Sequence, residues 1–266
     1  MVFLRDGGAL RRAAADETMT KNYMDGCMNS RKGETEMKKG YLILTLMTAC
    51  LIGCSGAGAE GGIDYLVLVN KLCPLPDGWE EKLETVTVTN SVGDEVEVEK
   101  KALDAYLRLK DDLEKNDGIY LELDSARRSI AAQQEIMDRF TEKYGADYAT
   151  KTVATPGYSE HHTGLALDLY FRIRNEDGTF TDVYYNEDMT KPEYFGIWDA
   201  VHAKLADYGV ILRYLKGKEY ITGYGYEPWH IRYIDDAEKA REIMAQPGMT
   251  LEVWLGAATD AGVTAQ

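Results

Sequence analysis

Three of the four histidines in this 266-residue chain fall in two short segments, "PGYSEHHTGLALDLYF" at 156–171 and "YGYEPWHIRY" at 224–233. An aspartate and a glutamate stand beside them in runs that are otherwise apolar and strand-like. Two imidazoles and one carboxylate form a ligand set that suits zinc with one coordination position left open, the arrangement of a catalytic rather than a structural site. His161, Asp168 and His230 could supply that set, with Glu227 close by in sequence; the plain alternative is a group of polar residues in turns, satisfied by the backbone. His162 and His202 read as structural, and Tyr226 and Trp229 as core.

The spacing makes demands on the backbone. Seven residues along a straight strand put His161 and Asp168 on opposite faces, so the chain must bend between them, and Thr163-Gly164 offers the bend. Glu227 and His230 also face oppositely on a flat strand. Pro228 cannot donate to a ladder and forces an irregularity there; a short helix with Pro228 in its first turn would bring the two together equally well.

The elements that must position these residues are readable from period and punctuation. "DYLVLVNK" (64–71) and "ETVTVT" (84–89) are predicted as strands. Helical spacing over 99–116 aligns Leu103, Tyr106, Leu107, Leu109 and Leu113 and stops at Asn116-Asp117-Gly118. "IYLELD" alternates as a strand, and a helix with Ile130, Ile136, Met137, Phe140 and Tyr144 on its apolar face runs from Ser129 to Gly145. "RNEDGTF" holds an Asp-Gly hairpin signal. A helix over 193–208, strands at "VILRY" and "WHIRYI" and a helix over 236–245 complete the chain. Strands and helices mix without a regular βαβ repeat, which predicts a single α+β domain with a central antiparallel sheet flanked by helices.

Composition narrows the function. The net charge is −15, with 45 acidic and 30 basic residues, and no Lys/Arg cluster interleaves with aromatics to track a phosphate backbone, which argues against a nucleic-acid partner. "MKKGYLILTLMTACLIGCSGAGAEGG" carries Lys38 and Lys39, an apolar run from Tyr41 to Ile52 and then small residues, the pattern of an export signal. "LIGC" at 51–54 resembles a bacterial lipobox, which implies cleavage before Cys54, lipid on Cys54 and a membrane-anchored extracytoplasmic lipoprotein. The expected organisation is a mis-called or disordered extension (1–36), a signal peptide (37–53), a flexible tether (54–62), a catalytic domain (63–255) and a short tail (256–266). After cleavage Cys73 has no intramolecular partner, and it is expected to be buried.

A resemblance joins these observations. "SEHHTGLALD" resembles the S-x-H-x-x-G-x-A-x-D motif of the VanY-type D-alanyl-D-alanine carboxypeptidases, in the LAS group of zinc metallopeptidases. "YEPWHIRY" is similar to their Glu-Pro-Trp-His segment, and "SARRSIAAQQ" to their S-G-Y-R-S-x-x-x-Q signature. The three matches occur in family order, and the similarity runs from about Tyr65 to Leu255.

The resemblance implies a LAS-like fold, zinc on His161, Asp168 and His230, and Glu227 as general base. It also implies that Arg128 reaches the substrate carbonyl or carboxylate, while Gln133 and Ser159 help hold the C-terminal carboxylate. Ala126 and Arg127 replace the family's Gly and Tyr, which leaves Arg127 or Arg128 to enter the site; the spacing to Gln133 selects Arg128. The implied substrates are peptidoglycan stem peptides ending in D-Ala. Relatives that act on tetrapeptides with LD specificity carry the same motifs, and a non-catalytic wall-binding lipoprotein is the reading from a different class, disfavoured by the intact base.

Overall fold

The structure, a computed structural model, describes residues 62–184 and 186–260. The expected extension, signal peptide, lipidated Cys54 and all of the tether but Gly62 lie outside the described residues, as do residues 261–266 of the tail.

Strands β1 (Thr85–Thr89) and β2 (Glu95–Glu99) form an antiparallel hairpin. Helix α1 (Lys100–Asp117) follows, capped by the Glu99 carboxylate on the amide of Ala102 and ended by Gly118 in the left-handed region. Strand β3 (Tyr120–Ser125) leads to α2 (Ile130–Tyr144), with Ser129 as N-cap, and to α3 (Ala146–Thr152). After a 3-10 turn (Glu160–Thr163) come β4 (Ala166–Arg174), β5 (Phe180–Val183) and α4 (Phe195–Leu205). Strands β6 (Val210–Tyr214) and β7 (Glu227–Tyr233) and helix α5 (Ala237–Met244) close the fold.

The main sheet has the order β3-β4-β7-β6, with β5 on the outer half of β4, and every pairing is antiparallel. Alternation along the strands separates two faces. Leu167, Leu169, Phe171, Trp229, Ile231, Val210 and Leu212 turn to one side, into a core with Leu103, Leu109 and Leu113 of α1 and Trp198, Val201 and Leu205 of α4. Asp168, His230, Arg232, Ile211 and Arg213 occupy the intervening positions. There Ile211 joins a second, smaller core with Leu68, Cys73, Ile243 of α5 and Leu251. Cys73 is buried and forms no disulfide among the described residues.

The sheet class and most elements follow the sequence expectation, with three differences. Residues 64–71 are not a strand. Val67, Leu68 and Val69 are buried without alternation, and the carbonyls of Tyr65 and Val67 accept from the Arg232 guanidinium at 3.0 and 2.8 Å, so a side chain does the work of a ladder. The helix expected over 193–208 is α-helical only in its middle, flanked by 3-10 turns at Pro192–Tyr194 and Ala206–Tyr208. Strand β2 and helix α3 were not foreseen: β2 alternates Glu with Val, and α3 is a short seven-residue helix directly after Gly145.

Candidate active site

Asp168 and His230 face each other directly across β4 and β7. Strand register alone therefore puts a carboxylate beside an imidazole. The third group comes from outside the ladder. Gly164 takes φ +73, and a Cβ there would press within 3.3 Å of Glu99 and Leu83, so the sharp exit from the 3-10 turn needs glycine. That exit lets His161 swing back over the sheet.

The three side chains converge. His161 Nε2 lies 3.1 Å from Asp168 Oδ2, and His230 Nδ1 lies 3.1 Å from Asp168 Oδ1. One ligand atom from each of the three residues falls within 4.8 Å of the others. The second ring nitrogen of each histidine is already held: His161 Nδ1 by the carbonyl of Ala126 at 2.7 Å, and His230 Nε2 by Glu160 at 3.0 Å. These contacts fix each ring and leave Nε2 of His161 and Nδ1 of His230 for a metal, the outer support that metal-binding histidines commonly have. Asp168 Oδ1 is buried and makes no hydrogen bond despite its nearness to His230. An orphaned carboxylate oxygen between two oriented imidazoles fits a divalent cation, and the two-nitrogen, one-oxygen set fits zinc.

Glu227 begins β7. Between Ile231 and Glu227 the pairing with β6 slips, so that four steps on β7 oppose the two from Leu212 to Tyr214. This irregularity, not a helix, brings Glu227 Oε2 to 3.6 Å from His230 Nδ1. Burial pushes the Glu227 carboxyl up to about 7, a rise that His230 and Arg128 oppose and that Asp168 and Glu160 reinforce. Burial acts the other way on His230, but the Asp168 and Glu160 carboxylates prevail and raise it to about 10, whereas burial keeps His161 below the usual imidazole range.

A pocket of about 220 Å³ opens over this group, lined by Arg128, Gln133, Ser159, Tyr214, Tyr224 and Trp229 as well as the ligand set and Glu227. Arg128 enters it. Arg127 turns away to Glu97 and Glu80, at 2.6 and 2.8 Å. Arg128 Nη1 donates to Gln133 Oε1 at 2.8 Å, and Gln133 Nε2 donates to the carbonyl of Ala154 at 2.8 Å, so Gln133 braces the arginine. His162, with Nδ1 on the carbonyl of Arg128 and Nε2 accepting from the amide of Gly157, ties this segment to the turn.

Sequence reasoning missed what lies behind His230. Glu160 is wholly buried, and its Oε1 accepts from Arg213 and Arg232, each at 2.7 Å. Arg213 also grips Glu252 through two bonds of 2.9 and 2.6 Å. The only sequence signal was an arginine at alternate positions of two apolar strands, "VILRY" and "WHIRY".

With this geometry established, the chain can be placed. An antiparallel sheet presenting a two-histidine, one-aspartate set with an adjacent recessed glutamate has the form of a metallopeptidase centre. The chain belongs to the VanY D-alanyl-D-alanine carboxypeptidase family, whose model matches residues 95–236. It is 35% identical over 198 residues to YodJ of Bacillus subtilis and 33% identical over 202 residues to a D-alanyl-D-alanine carboxypeptidase of Enterococcus faecalis, matches that cover 71% of this chain. They span about two thirds of those relatives, 66% and 65% of their lengths. Among solved structures, the LdcB LD-carboxypeptidase aligns with a TM-score of 0.57 at 32% identity, covering 73% of this chain and 87% of that one. A variant of the vancomycin-resistance D,D-pentapeptidase VanY in complex with Zn(II) aligns with a TM-score of 0.56 at 31% identity, covering 72% and 98%.

Proposed function

We propose that this protein is a zinc-dependent carboxypeptidase that removes the C-terminal D-Ala from peptidoglycan stem peptides ending in D-Ala-D-Ala. The observation that carries the reading is the orphaned Asp168 Oδ1 between two oriented imidazoles with Glu227 beside them. His161, Asp168 and His230 would hold the ion. Zinc held there would supply a Lewis acid, able to lower the pKa of water from 15.7 to roughly 7.

The remaining work belongs to the chain. Glu227, poised near neutrality by burial, takes a proton from water and returns it to the leaving amine. Arg128, held by Gln133, supplies a guanidinium for the charge that develops on the scissile carbonyl oxygen. Ser159 lines the same pocket, where its hydroxyl serves substrate placement. Incubating the purified 63–266 protein with defined penta- and tetrapeptide muropeptides and weighing the products tests the reading: one D-Ala should leave the pentapeptide and the zinc content should be one per chain. Cleavage of the tetrapeptide alone would replace the DD activity with an LD one.

The second part of the proposal concerns place. The apolar run before Cys54 and the small-residue tether after it support an exported protein anchored to the membrane by lipid on Cys54. Cys54→Ala should free the chain from the membrane fraction or stall its maturation, and retention unchanged by the substitution would point to an uncleaved signal anchor.

A further inference from the structure

The loop between β6 and β7 supplies one wall of the catalytic pocket, and a residue far from every motif holds it. The loop runs over 215–226 and carries Tyr224, which lines the pocket together with Tyr214 at the end of β6 and Glu227 at the start of β7. Within it, Glu219–Thr222 make one helical turn that opens on Lys218, whose carbonyl accepts from the amides of Ile221 and Thr222 at 3.0 and 3.1 Å. Gly223 ends the turn at φ +77, and Thr222 Oγ1 accepts from the amide of Tyr224 at 3.2 Å. The turn and Tyr224 are thus one bonded unit, and the Tyr224 ring settles on that of Tyr214 with 4.7 Å between centres.

The start of the turn is tied to the C-terminal tail. Asp260 Oδ2 accepts from the Lys218 ammonium and Oδ1 from the Tyr220 hydroxyl. Lys218 and Tyr220 stand two apart at the first step of the turn, so a single carboxylate fixes both its position and its rotation. The Lys218 stem lies against Gly248, where a Cβ would come within 2.7 Å of Lys218 Cε. The Asp260 and Lys218 side chains are only 4% and 17% exposed, so their attraction is screened less than that of a surface pair. Tyr220 is 63% exposed, which leaves packing little hold on its ring and gives the bond to Asp260 more of the work.

Asp260 lies beyond the region that the family model matches, residues 95–236. We propose that Asp260 is a positioning residue for substrate binding: by gripping Lys218 and Tyr220 it sets the Tyr224 wall against which the peptide lies. This inference rests on the carboxypeptidase reading. Glu227 is pinned separately, by its pairing with Tyr214 across the sheet, and the metal set stands on β4, β7 and the 3-10 turn. Loss of Asp260 should therefore weaken substrate binding and spare the chemical step.

The test uses the full-length zinc-loaded protein and a pentapeptide ending in D-Ala-D-Ala. Asp260→Ala should raise KM about fivefold with kcat and zinc content unchanged, the size of effect expected from one coupled contact. Asp260→Asn, which can still accept from Tyr220, should raise it less. In a Tyr224→Ala background, where the wall is already gone, Asp260→Ala should add nothing. If Asp260→Ala does not fold, Tyr220→Phe, which keeps the pair with Lys218, takes its place in the same cycle. An unchanged KM would overturn the assignment, and so would losses that multiply in the double variant, since Asp260 would then act other than through Tyr224. A joint fall of kcat and zinc would overturn it as well, by reducing Asp260 to a support of the whole fold. A parent that releases no D-Ala would instead sink the carboxypeptidase reading on which the inference stands.

Discussion

Two buried ionic groups share one face of the sheet and one residue, His230, yet they differ in how far their charges are answered. Behind the ring, Glu160, Arg213, Arg232 and Glu252 close on one another, while Arg232 Nη2 donates to the carbonyls of Tyr65 and Val67 and its Nε to that of Tyr233. In front of it, Asp168 Oδ1 has no hydrogen bond and Glu227 is held near neutrality. Buried charge is tolerated where it is paired and bonded, and becomes reactive where it is left incomplete. The closed cluster makes the open one usable, since Glu160 grips the nitrogen of His230 that faces away from the pocket.

Breaking the closed side should have the larger effect. Glu160→Ala takes the shared acceptor from two buried guanidiniums, leaves Arg232 with carbonyl acceptors only and frees the His230 ring, so it should cost about 3–5 kcal/mol in denaturant unfolding and lose zinc and turnover with it. Undiminished stability would show that the two arginines find other acceptors. His161→Ala is the matching cut on the open side: zinc and activity should disappear while the metal-free protein unfolds much as its parent does.

Glu227→Gln sharpens the contrast further. It should lower kcat by roughly 10²–10⁴ while zinc stays bound, read by turnover and metal analysis. In the metal-free protein it should also raise the unfolding temperature. Burial raises the Glu227 pKa to about 7. Ionising it therefore removes stability as pH climbs from the ordinary carboxylate range to that value, and the full penalty stands above it. The gain from glutamine should accordingly be greatest at pH 8 and vanish at pH 4.

The smallest effect is expected at Arg127. Its partners Glu80 and Glu97 are partly exposed, so Arg127→Ala should cost under about 1 kcal/mol and leave kcat untouched, where Arg128→Ala impairs turnover. Equal damage from both would mean that the adjacent arginines share the site.

What could be read from the sequence divides along the same line. The elements carrying the site were legible because their signals are local: period in α1, a Ser cap on α2, an Asp-Gly turn between β4 and β5. The convergence of His161, Asp168 and His230 was legible as a demand for a bend, which Gly164 meets, but the slipped pairing at Glu227 depends on how β6 lies alongside and could only be stated as one of two ways. The closed cluster was not legible. Glu160 lies 53 residues from Arg213 and 72 from Arg232, and an arginine inside an apolar strand reads as an outward-facing residue until its partner is seen. Residues 64–71 misled for the same reason: their apolar run looks like a strand, and only the distant Arg232 explains why their carbonyls need no neighbour.

Arg232 and Arg213 also bear on where this unit can be cut. The family model covers residues 95–236, yet the carbonyls that Arg232 grips belong to Tyr65 and Val67, and the carboxylate that Arg213 grips belongs to Glu252. A fragment trimmed to the matched region would keep every residue of the motifs and leave both guanidiniums facing missing acceptors behind His230. The smallest autonomous unit is thus set by the acceptors of two arginines, from before Tyr65 to beyond Glu252, and recombination or truncation inside those limits would separate the signature residues from the ends of the chain that hold them in place.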